Sequence, residues 1–351
     1  MLAEMLDGMA PRADGVYVDA TFGGGGYTRA LLDAAACRVW GIDRDPDAVA
    51  RADVLCRRYA GRLTVLPGSF GDLANGLGTA GIDRVDGIIF DLGMSSQQLE
   101  TPERGFSFRL DGPLDMRMDP SVAVSAGDVV NTASAQDLAR ILRSYGEERS
   151  ARRIARAIVE ARETAPIIRT GQLAAIVHRV LAGPPTGIDA ATRTFQALRI
   201  YVNDELGELD RGLLAAEHLL APGGRLGVVA YHSLEDRRVK MFMRTRSGVA
   251  PRASRHHPDG SAEGSAPSLR LVHRRALRPT AAEIAANPRA RSARMRVAER
   301  TAAPAWPSSS EGGRTEALPT DRQSSDDRST HDRRTTDQRA AVQPSADRRA
   351  A

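Results

Sequence analysis

The chain has 351 residues, of which 42% are hydrophobic and 26% charged, a composition typical of globular proteins longer than one average domain. Its two cysteines exclude a disulfide framework and a zinc site built on paired cysteines, and no apolar run is long enough to span a membrane. These features predict a cytoplasmic protein that neither enters a membrane nor holds a metal ion.

The net charge of +5 is unevenly distributed along the chain. Residues 237–300 contain 16 Lys and Arg against 4 Asp and Glu, whereas residues 1–236 contain 25 against 32. Clustered arginines are typical of a surface that binds a polyanion, which favours nucleic acid as the partner of segment 237–300. A chain whose only lysine is Lys240 is also typical of a GC-rich genome, so this alternative stays open.

Short apolar runs alternate with helix-length patterns over the first 91 residues. Such alternation predicts parallel strands that are joined by right-handed crossover helices. A predicted helix at 204–220 then leads into a fifth run. Strands are predicted at 16–18, 38–42, 63–66, 85–90 and 225–230. The fold class is therefore α/β, with a doubly wound, mostly parallel sheet.

A long stretch between the fourth and fifth predicted strands has apolar residues at helical spacing, with a capping pattern at Ser134, and predicts an inserted helical domain. A last strand is expected at 269–272 and a flexible loop at 248–267. The polar tail from Pro304 has too few apolar residues to fold. The predicted domains are the first part of the sheet domain (1–110), the helical insertion (111–203), the second part with the basic segment (204–303) and a disordered tail (304–351).

A glycine-rich loop between Asp19 and Thr28 follows the first predicted strand and opens a helix. Glycines let a ligand approach the backbone, and the helix start offers free N–H donors. Asp43 ends the second strand, 20 residues after Gly23, where a carboxylate accepts hydrogen bonds from a ribose diol. This pattern predicts a nucleotide cofactor. Asp19 favours S-adenosylmethionine over a nicotinamide dinucleotide because it would repel a pyrophosphate and bind an ammonium group, unless it caps the turn.

Longer blocks occur in order between residues 15 and 300. They are DATFGGGG at 19–26, GIDRDP at 41–46, DLGMSS at 91–96, RGFSF at 104–108, DGPLDMRMD at 111–119, YGEER at 145–149, TRTFQALRI at 192–200, HSLEDR at 232–237 and NPRARS at 287–292. With these blocks the chain resembles the bacterial 16S ribosomal RNA cytosine-N4 methyltransferases, also called the ribosomal small subunit methyltransferase H family. Many long blocks in order are more specific than any single motif.

The resemblance implies a methyltransferase sheet with a helical insertion and S-adenosyl-L-methionine as cofactor. It implies methylation at N4 of cytosine 1402 in 16S ribosomal RNA, within the small ribosomal subunit. A homodimer is a further expectation. Tyr27 stands where family members often have histidine. Cofactor contacts are implied at Gly25, Gly26, Tyr27, Asp43, Phe70, Asp91 and Gln98.

Asp91, at the end of the fourth predicted strand, is the candidate catalytic residue. Methyl transfer to an exocyclic amine depends mainly on positioning, and an acceptor for the amine N–H directs its lone pair toward the methyl group. Many amino-methylating enzymes carry Asn/Asp-Pro-Pro-aromatic at this point, whereas this chain has DLGM, so Asp91 serving the cofactor alone is the alternative. Phe70 either stacks on adenine or belongs to the core.

A set of basic residues is predicted to contact the RNA substrate. Its members are Arg117, Arg193, Arg199, His232, Arg289 and Arg291. Salt-bridged packing between insertion and sheet is the alternative for the first three arginines. Ser233 is predicted to cap a helix, and His256 and His257 are predicted to be exposed rather than metal ligands.

Two other functions compete with the methyltransferase hypothesis. A nicotinamide-dependent oxidoreductase would use the same sheet, but the chain has no Tyr-x-x-x-Lys pair. A non-catalytic RNA-binding assembly factor would use the basic segment and would not need Asp43.

Overall fold

One mixed sheet of seven strands organises the computed structural model, which describes residues 1–182, 187, 189–249 and 266–307. The strands are β1 (Val16–Asp19), β2 (Arg38–Asp43), β3 (Leu63–Pro67), β4 (Val85–Asp91), β5 (Leu220–Ala230), β6 (Leu269–Leu271) and β7 (Arg294–Arg300). Their order is β3-β2-β1-β4-β5-β7-β6. Strands β1 to β5 pair in parallel, and β7 pairs antiparallel with both β5 and β6. The predicted α/β class and doubly wound, mostly parallel sheet are confirmed.

The helices cover both faces of this sheet and fill the long stretch between β4 and β5. They are α1 (Leu2–Met9), α2 (Gly26–Ala34), α3 (Pro46–Arg58), α4 (Leu73–Thr79), α5 (Ser96–Glu100), α6 (Ala126–Thr132), α7 (Ala135–Gly146), α8 (Ala151–Thr164), α9 (Thr170–Val180), α10 (Thr192–Val202), α11 (Glu205–Leu219), α12 (Ser233–Arg246) and α13 (Ala281–Ala286). Among the described residues, no helix has the length and apolar composition of a membrane span.

Local sequence explains why these elements form where they do. Strand β4 is buried along almost its whole length, as expected for a central parallel strand with helices on both faces. Helix α3 begins where the Asp45 side chain accepts the N–H of Asp47, with Pro46 in the first turn. The Ser134 side chain accepts the N–H of Asp137 at the start of α7, so the predicted cap is confirmed.

The predicted insertion contains the five helices α6 to α10. All described residues, the insertion included, belong to one compact unit. The boundaries at 110 and 203 therefore stay predictions about sequence segments. Residues 250–265, which contain most of the predicted flexible loop and both His256 and His257, lie outside the described residues.

Helix α1 is an element that the sequence analysis missed. Its Met5 and Met9 are fully buried against β4 and β5. The helix fits closely because the strands carry glycine beneath it: a Cβ on Gly227 would lie 2.7 Å from the Met5 sulfur, and one on Gly87 would lie 2.5 Å from the Met9 methyl. The glycines thus make room for a helix that closes one face of the core.

The predicted strand at 269–272 is confirmed as β6, but it is not the last strand, because β7 was missed. In β7 Arg294 is exposed and Arg296 partly exposed, whereas Met295, Val297, Ala298 and Arg300 are buried. The arginines led us to interpret the segment as a basic surface. Met295 and Val297 belong to one core cluster and Ala298 to the other, so β7, between β5 and β6, contributes to both.

The predicted tail from Pro304 is wrong for its first four residues, and residues 308–351 lie outside the described residues. The Trp306 backbone N–H donates to Glu217, and its indole N–H donates to the Ala266 carbonyl at 2.9 Å. The Arg246 guanidinium lies 4.7 Å from the indole ring centre and forms an ion pair with the buried Glu217. These contacts hold the segment against α11 and α12.

We expect Trp306→Ala to lower the free energy of unfolding by about 1 kcal/mol, because it removes one hydrogen bond and one cation–π contact at a partly exposed site. Trp306→Phe keeps the aromatic face and should lose about half as much. Urea denaturation of both variants checks this. Wild-type stability in Trp306→Ala would show that the segment does not contribute.

Candidate active site

A cavity of about 650 Å³ opens at the carboxyl ends of β1, β2 and β4. The strand order reverses at β1, whose neighbours are β2 and β4. Ligands of open α/β sheets bind in the crevice at such a reversal because the loops on its two sides diverge. The loops after β1, β2 and β4 supply most of the cavity wall, together with residues from 283–293.

The glycine-rich loop forms one wall of this cavity through Gly23, Gly24 and Gly26. Gly25 does not line it. This residue precedes α2 with a φ of 70°, and a Cβ there would lie 3.0 Å from the side chains of Phe22 and Leu55. Gly25 therefore allows the turn that presents its neighbours.

Asp43 connects the loops that follow β1 and β2 through hydrogen bonds. One carboxylate oxygen accepts the Gly23 N–H at 2.6 Å, and the other accepts the Asp45 N–H at 2.9 Å. Burial raises its pKa, and these two N–H donors oppose the rise. Each oxygen keeps a second lone pair, and the side chain lines the cavity, so both can still accept hydrogen bonds from a ribose diol.

Phe70, Tyr27 and Gln98 also line the cavity. Phe70 contacts Phe90 edge to face with ring centres 5.6 Å apart, so it belongs to the core and also offers a surface to the cavity. Gln98 is buried rather than on the surface: its amide donates to Asp45 at 2.8 Å and its oxygen accepts the Ser95 N–H. These bonds fix the loop after β4 against the start of α3.

Asp19 does not line the cavity, so the argument that selected S-adenosylmethionine through this carboxylate is wrong. Its side chain is 1% exposed. It accepts hydrogen bonds from the Thr28 hydroxyl at 2.8 Å and from the Thr21 N–H. Burial raises its pKa to about 6. The alternative is correct: these hydrogen bonds of Asp19 stabilise the turn.

Asp91 faces the cavity and pairs with Tyr231, the residue directly after β5. The Tyr231 hydroxyl donates to one Asp91 carboxylate oxygen at 2.9 Å, and the Asp91 N–H donates to the Thr21 hydroxyl at 2.7 Å. Burial raises the Asp91 pKa to about 7, against the lowering effect of the Tyr231 hydrogen bond. No hydrogen bond from a described residue reaches the second carboxylate oxygen. Tyr231 was missed in the sequence, although an aromatic residue at the end of the neighbouring strand is a usable signal.

The raised pKa predicts how stability depends on pH in the cofactor-free protein. The unfolded chain releases the Asp91 proton near pH 3.8 and the folded protein near pH 7, so stability falls as pH rises through this window. Asp91→Asn removes this effect. We expect the variant to match wild type near about pH 3, below the pKa of the unfolded carboxyl, and to be more stable by about 1 to 2 kcal/mol at pH 8, because Asp19 titrates in the same range and shares the shift. Urea unfolding at both pH values measures the difference, and equal curves at pH 8 contradict it.

A second polar cluster lies beside Tyr231 and involves His232, Glu235, Glu205 and Arg199. Both Glu205 oxygens accept hydrogen bonds from Arg199, at 2.7 and 2.8 Å, and both residues are buried. Burial opposes the charge of Glu235, but His232 and Arg199 hold its pKa below the usual value. His232, Glu235 and Glu205 are close enough to share a cation, but Arg199 already neutralises Glu205, so the expectation of no metal stays a prediction.

The predicted cap at Ser233 is wrong. His232 caps α12, since its ring nitrogen accepts the Glu235 N–H while the Glu235 carboxylate accepts the His232 N–H. Ser233 is the first helical residue, and its hydroxyl donates to Glu147. The interpretation failed because histidine is an uncommon cap, whereas serine is a common one.

The five arginines predicted to bind RNA fall into two groups. Arg117 and Arg199 are engaged by protein partners. Arg117 pairs with Asp115 and donates to two backbone carbonyls within the insertion, whereas Arg199 pairs with Glu205 of α11, which favours the packing alternative for Arg199. Arg193, Arg289 and Arg291 are exposed, and Arg289 lines the cavity while it pairs with Glu100 at 2.8 Å.

The cavity fits S-adenosylmethionine by shape and by chemistry. Its volume is within the range of about 300 to 1,000 Å³ typical of cofactor sites. Asp43 offers acceptors for a ribose diol, and Phe70 offers an aromatic face for adenine. Asp91 offers a carboxylate oxygen deeper in the cleft.

Comparison with known proteins agrees with a cavity for S-adenosylmethionine. The model of the MraW methylase family matches residues 1–301. Ribosomal RNA small subunit methyltransferase H of Rhodospirillum centenum is 61% identical over 302 residues, which cover 86% of this chain and 91% of that protein. The protein of the same name from Paramagnetospirillum magneticum is 57% identical over 310 residues, which cover 88% and 97%. This chain belongs to the MraW methylase family, whose members are S-adenosylmethionine-dependent methyltransferases.

Proposed function

We propose that this protein transfers the methyl group of S-adenosylmethionine to N4 of cytosine 1402 in 16S ribosomal RNA, within the small ribosomal subunit. The name shared by its relatives supports small-subunit ribosomal RNA as the substrate. One observation carries the choice of an amine: Asp91 presents a carboxylate oxygen to the cofactor cavity while Tyr231 holds the other. A cytoplasmic location follows from this substrate.

Different residues of the chain bind the cofactor and orient the substrate amine. When bound, S-adenosylmethionine would supply a sulfonium-activated methyl carbon, from which an in-line amine would displace the neutral thioether. Asp43 accepts hydrogen bonds from the ribose diol, and Phe70 contacts the adenine ring. Gly26 and Tyr27 donate hydrogen bonds from their backbone N–H groups to the cofactor. Gln98 keeps the loop after β4 in place through its bond to Asp45.

Asp91 orients the amine. The lone pair of cytosine N4 is delocalised into the ring, and a hydrogen bond from its N–H to the free Asp91 oxygen turns the nitrogen toward the methyl group. Formation of the new C–N bond would leave N4 with one excess proton. The excess proton on N4 then passes to Asp91 or to water, and a carboxyl with a pKa of about 7 is suited to accept it.

The test uses small subunits from cells that lack this activity. Wild-type enzyme with a labelled methyl donor should produce N4-methylcytosine at one position of 16S RNA, which digestion and mass spectrometry locate. Naked short RNA should react much more weakly, because the target base must leave its stack and a folded ribosomal surface presents it. Unmodified cytosine N4 throughout the 16S RNA would contradict the proposal.

The competing functions make different predictions. A nicotinamide oxidoreductase would bind NAD in the cavity, and calorimetric titration should detect binding of S-adenosylhomocysteine and no binding of NAD. An assembly factor without activity would bind subunits and transfer no methyl group. The homodimer expected from the sequence is a separate proposal, and sedimentation velocity distinguishes it from a monomer.

A further inference from the structure

A second cavity, of about 390 Å³, adjoins the cofactor cavity. The two cavities share Tyr231, Ser292 and Ala293 as lining residues, and His232 lines the second one beside Tyr231. Tyr231, whose hydroxyl donates to Asp91, therefore belongs to the walls of both cavities. Its remaining wall comes from α12 and from the segment between β6 and β7.

The lining of this second cavity is strongly cationic. Among the described residues that line it, Asp236 is the only carboxylate, and Arg296 and Arg294 from β7 already pair with it. Five cationic side chains line the cavity, namely Arg237, Lys240, Arg278, Arg291 and Arg294.

Three of these cations have no counterion in the part of the chain that the structure describes. Arg237 pairs with Glu147 and Arg294 contacts Asp236 at 3.4 Å. Lys240, Arg278 and Arg291 form no ion pair or side-chain hydrogen bond with any described residue, and all three are exposed to solvent. Like charges around a concavity repel one another, and an anion in the concavity removes that repulsion.

The position of the cavity indicates which anion. The phosphate groups of a nucleotide lie within about two bond lengths of its ribose. When its base reaches the free Asp91 oxygen, these phosphates are therefore close to Tyr231 and to the other residues that line both cavities, Ser292 and Ala293. Arginine is the side chain best suited to phosphate because its planar fork donates two parallel hydrogen bonds. The Ser292 hydroxyl lines the same space, whereas the Ser233 hydroxyl donates to Glu147.

We propose that this cavity binds a backbone phosphate of the target cytidine, with Arg278 and Arg291 as its main ligands and Lys240 as a further cation. The proposal rests on the proposed function, and it gives Arg278 and Lys240 a role that the motif analysis did not. The bound phosphate fixes the position of the nucleotide, and the base then extends past Tyr231 to Asp91. The cavity thereby determines which base of the RNA enters the active site.

The test compares Arg278→Gln/Arg291→Gln with a matched control, Arg38→Gln/Arg57→Gln. The control removes the same charge from exposed arginines at the start of β2 and the end of α3, at the opposite edge of the sheet. We expect KM for small subunits to rise at least 10-fold in the cavity variant, with the affinity for S-adenosylhomocysteine unchanged. The slope of log binding constant against log salt should flatten by about 0.7 to 0.9 for the one lost phosphate contact. The control should differ from wild type by less than 2-fold.

A small probe separates a phosphate site from general attraction to RNA. Cytidine 3′,5′-bisphosphate should inhibit wild type and the control at least 10-fold better than cytidine does, and the cavity variant should lose this preference. Equal behaviour of the two double variants, in KM and in this preference, overturns the cavity proposal. Wild-type enzyme that methylates no cytosine on small subunits overturns the proposed function instead, so the two failures are distinguishable.

Discussion

Asp43→Ala is expected to weaken the binding of S-adenosylhomocysteine by at least ~30-fold, about 2 kcal/mol. The substitution removes both acceptors for the ribose diol, and hydrogen bonds to a charged group are each worth about 1.5 to 3 kcal/mol. It also frees the Gly23 and Asp45 N–H groups that the carboxylate now holds at 2.6 and 2.9 Å, so the first two loops lose their connection. Isothermal titration calorimetry measures the affinity.

The matched control is Asp47→Ala, in the same turn. Asp47 carries the same charge, is 65% exposed and pairs with Arg104, and it does not line the cavity. Its variant should bind with wild-type affinity, so a loss confined to Asp43→Ala excludes a general effect of local charge and leaves the ribose contact and the loop connection as its causes. The thermal midpoint of the unliganded protein measures the contribution of the loop connection. Wild-type affinity in Asp43→Ala would remove Asp43 from the cofactor site.

The parts of the site that the sequence predicted depend on local pattern. A buried parallel strand, a glycine-rich turn and a helix start follow each other within a few residues, so the loop at Gly23–Gly26 and the acid at Asp43 are recognisable without tertiary information. The carboxyl ends of parallel strands also share one edge, which brought Asp91 into the same prediction. The structure places all three at one cavity.

The parts that were missed depend on contacts between distant segments. Tyr231 donates to Asp91, which lies 140 positions earlier in the sequence, so the sequence around one residue gives no sign of the other. Strand β7 inserts between β5 and β6 out of chain order, so its arginines suggested a surface although the residues between them are buried. Arg199 looked like a phosphate ligand because its partner Glu205 is on the next helix, beyond a turn that the sequence did not specify.

Asp91→Asn is expected to lower the single-turnover rate of methyl transfer at least ~100-fold, about 2.7 kcal/mol of transition-state stabilisation. An asparagine keeps the size of the side chain and the bond from Tyr231, but its amide can no longer act both as a charged acceptor for the cytosine amine and as a proton acceptor. The alternative role gives the opposite pattern: if Asp91 serves the cofactor alone, cofactor affinity falls and the rate at saturating cofactor is retained.

Tyr231→Phe provides a second test of the same pair, with a readout that a packing role would not change. Activity requires the Asp91 carboxylate, so the rate should rise with pH through the Asp91 pKa, which is about 7 in the unliganded protein. The Tyr231 hydrogen bond lowers that pKa, so its removal should move the midpoint of the pH–rate profile upward while cofactor affinity stays the same. The plateau rate should fall about 5- to 10-fold, because both Asp91 oxygens are then free and the carboxylate loses its fixed orientation. A profile that keeps its midpoint in Tyr231→Phe, or an Asp91→Asn enzyme with wild-type turnover, shows that the pair does not position the amine.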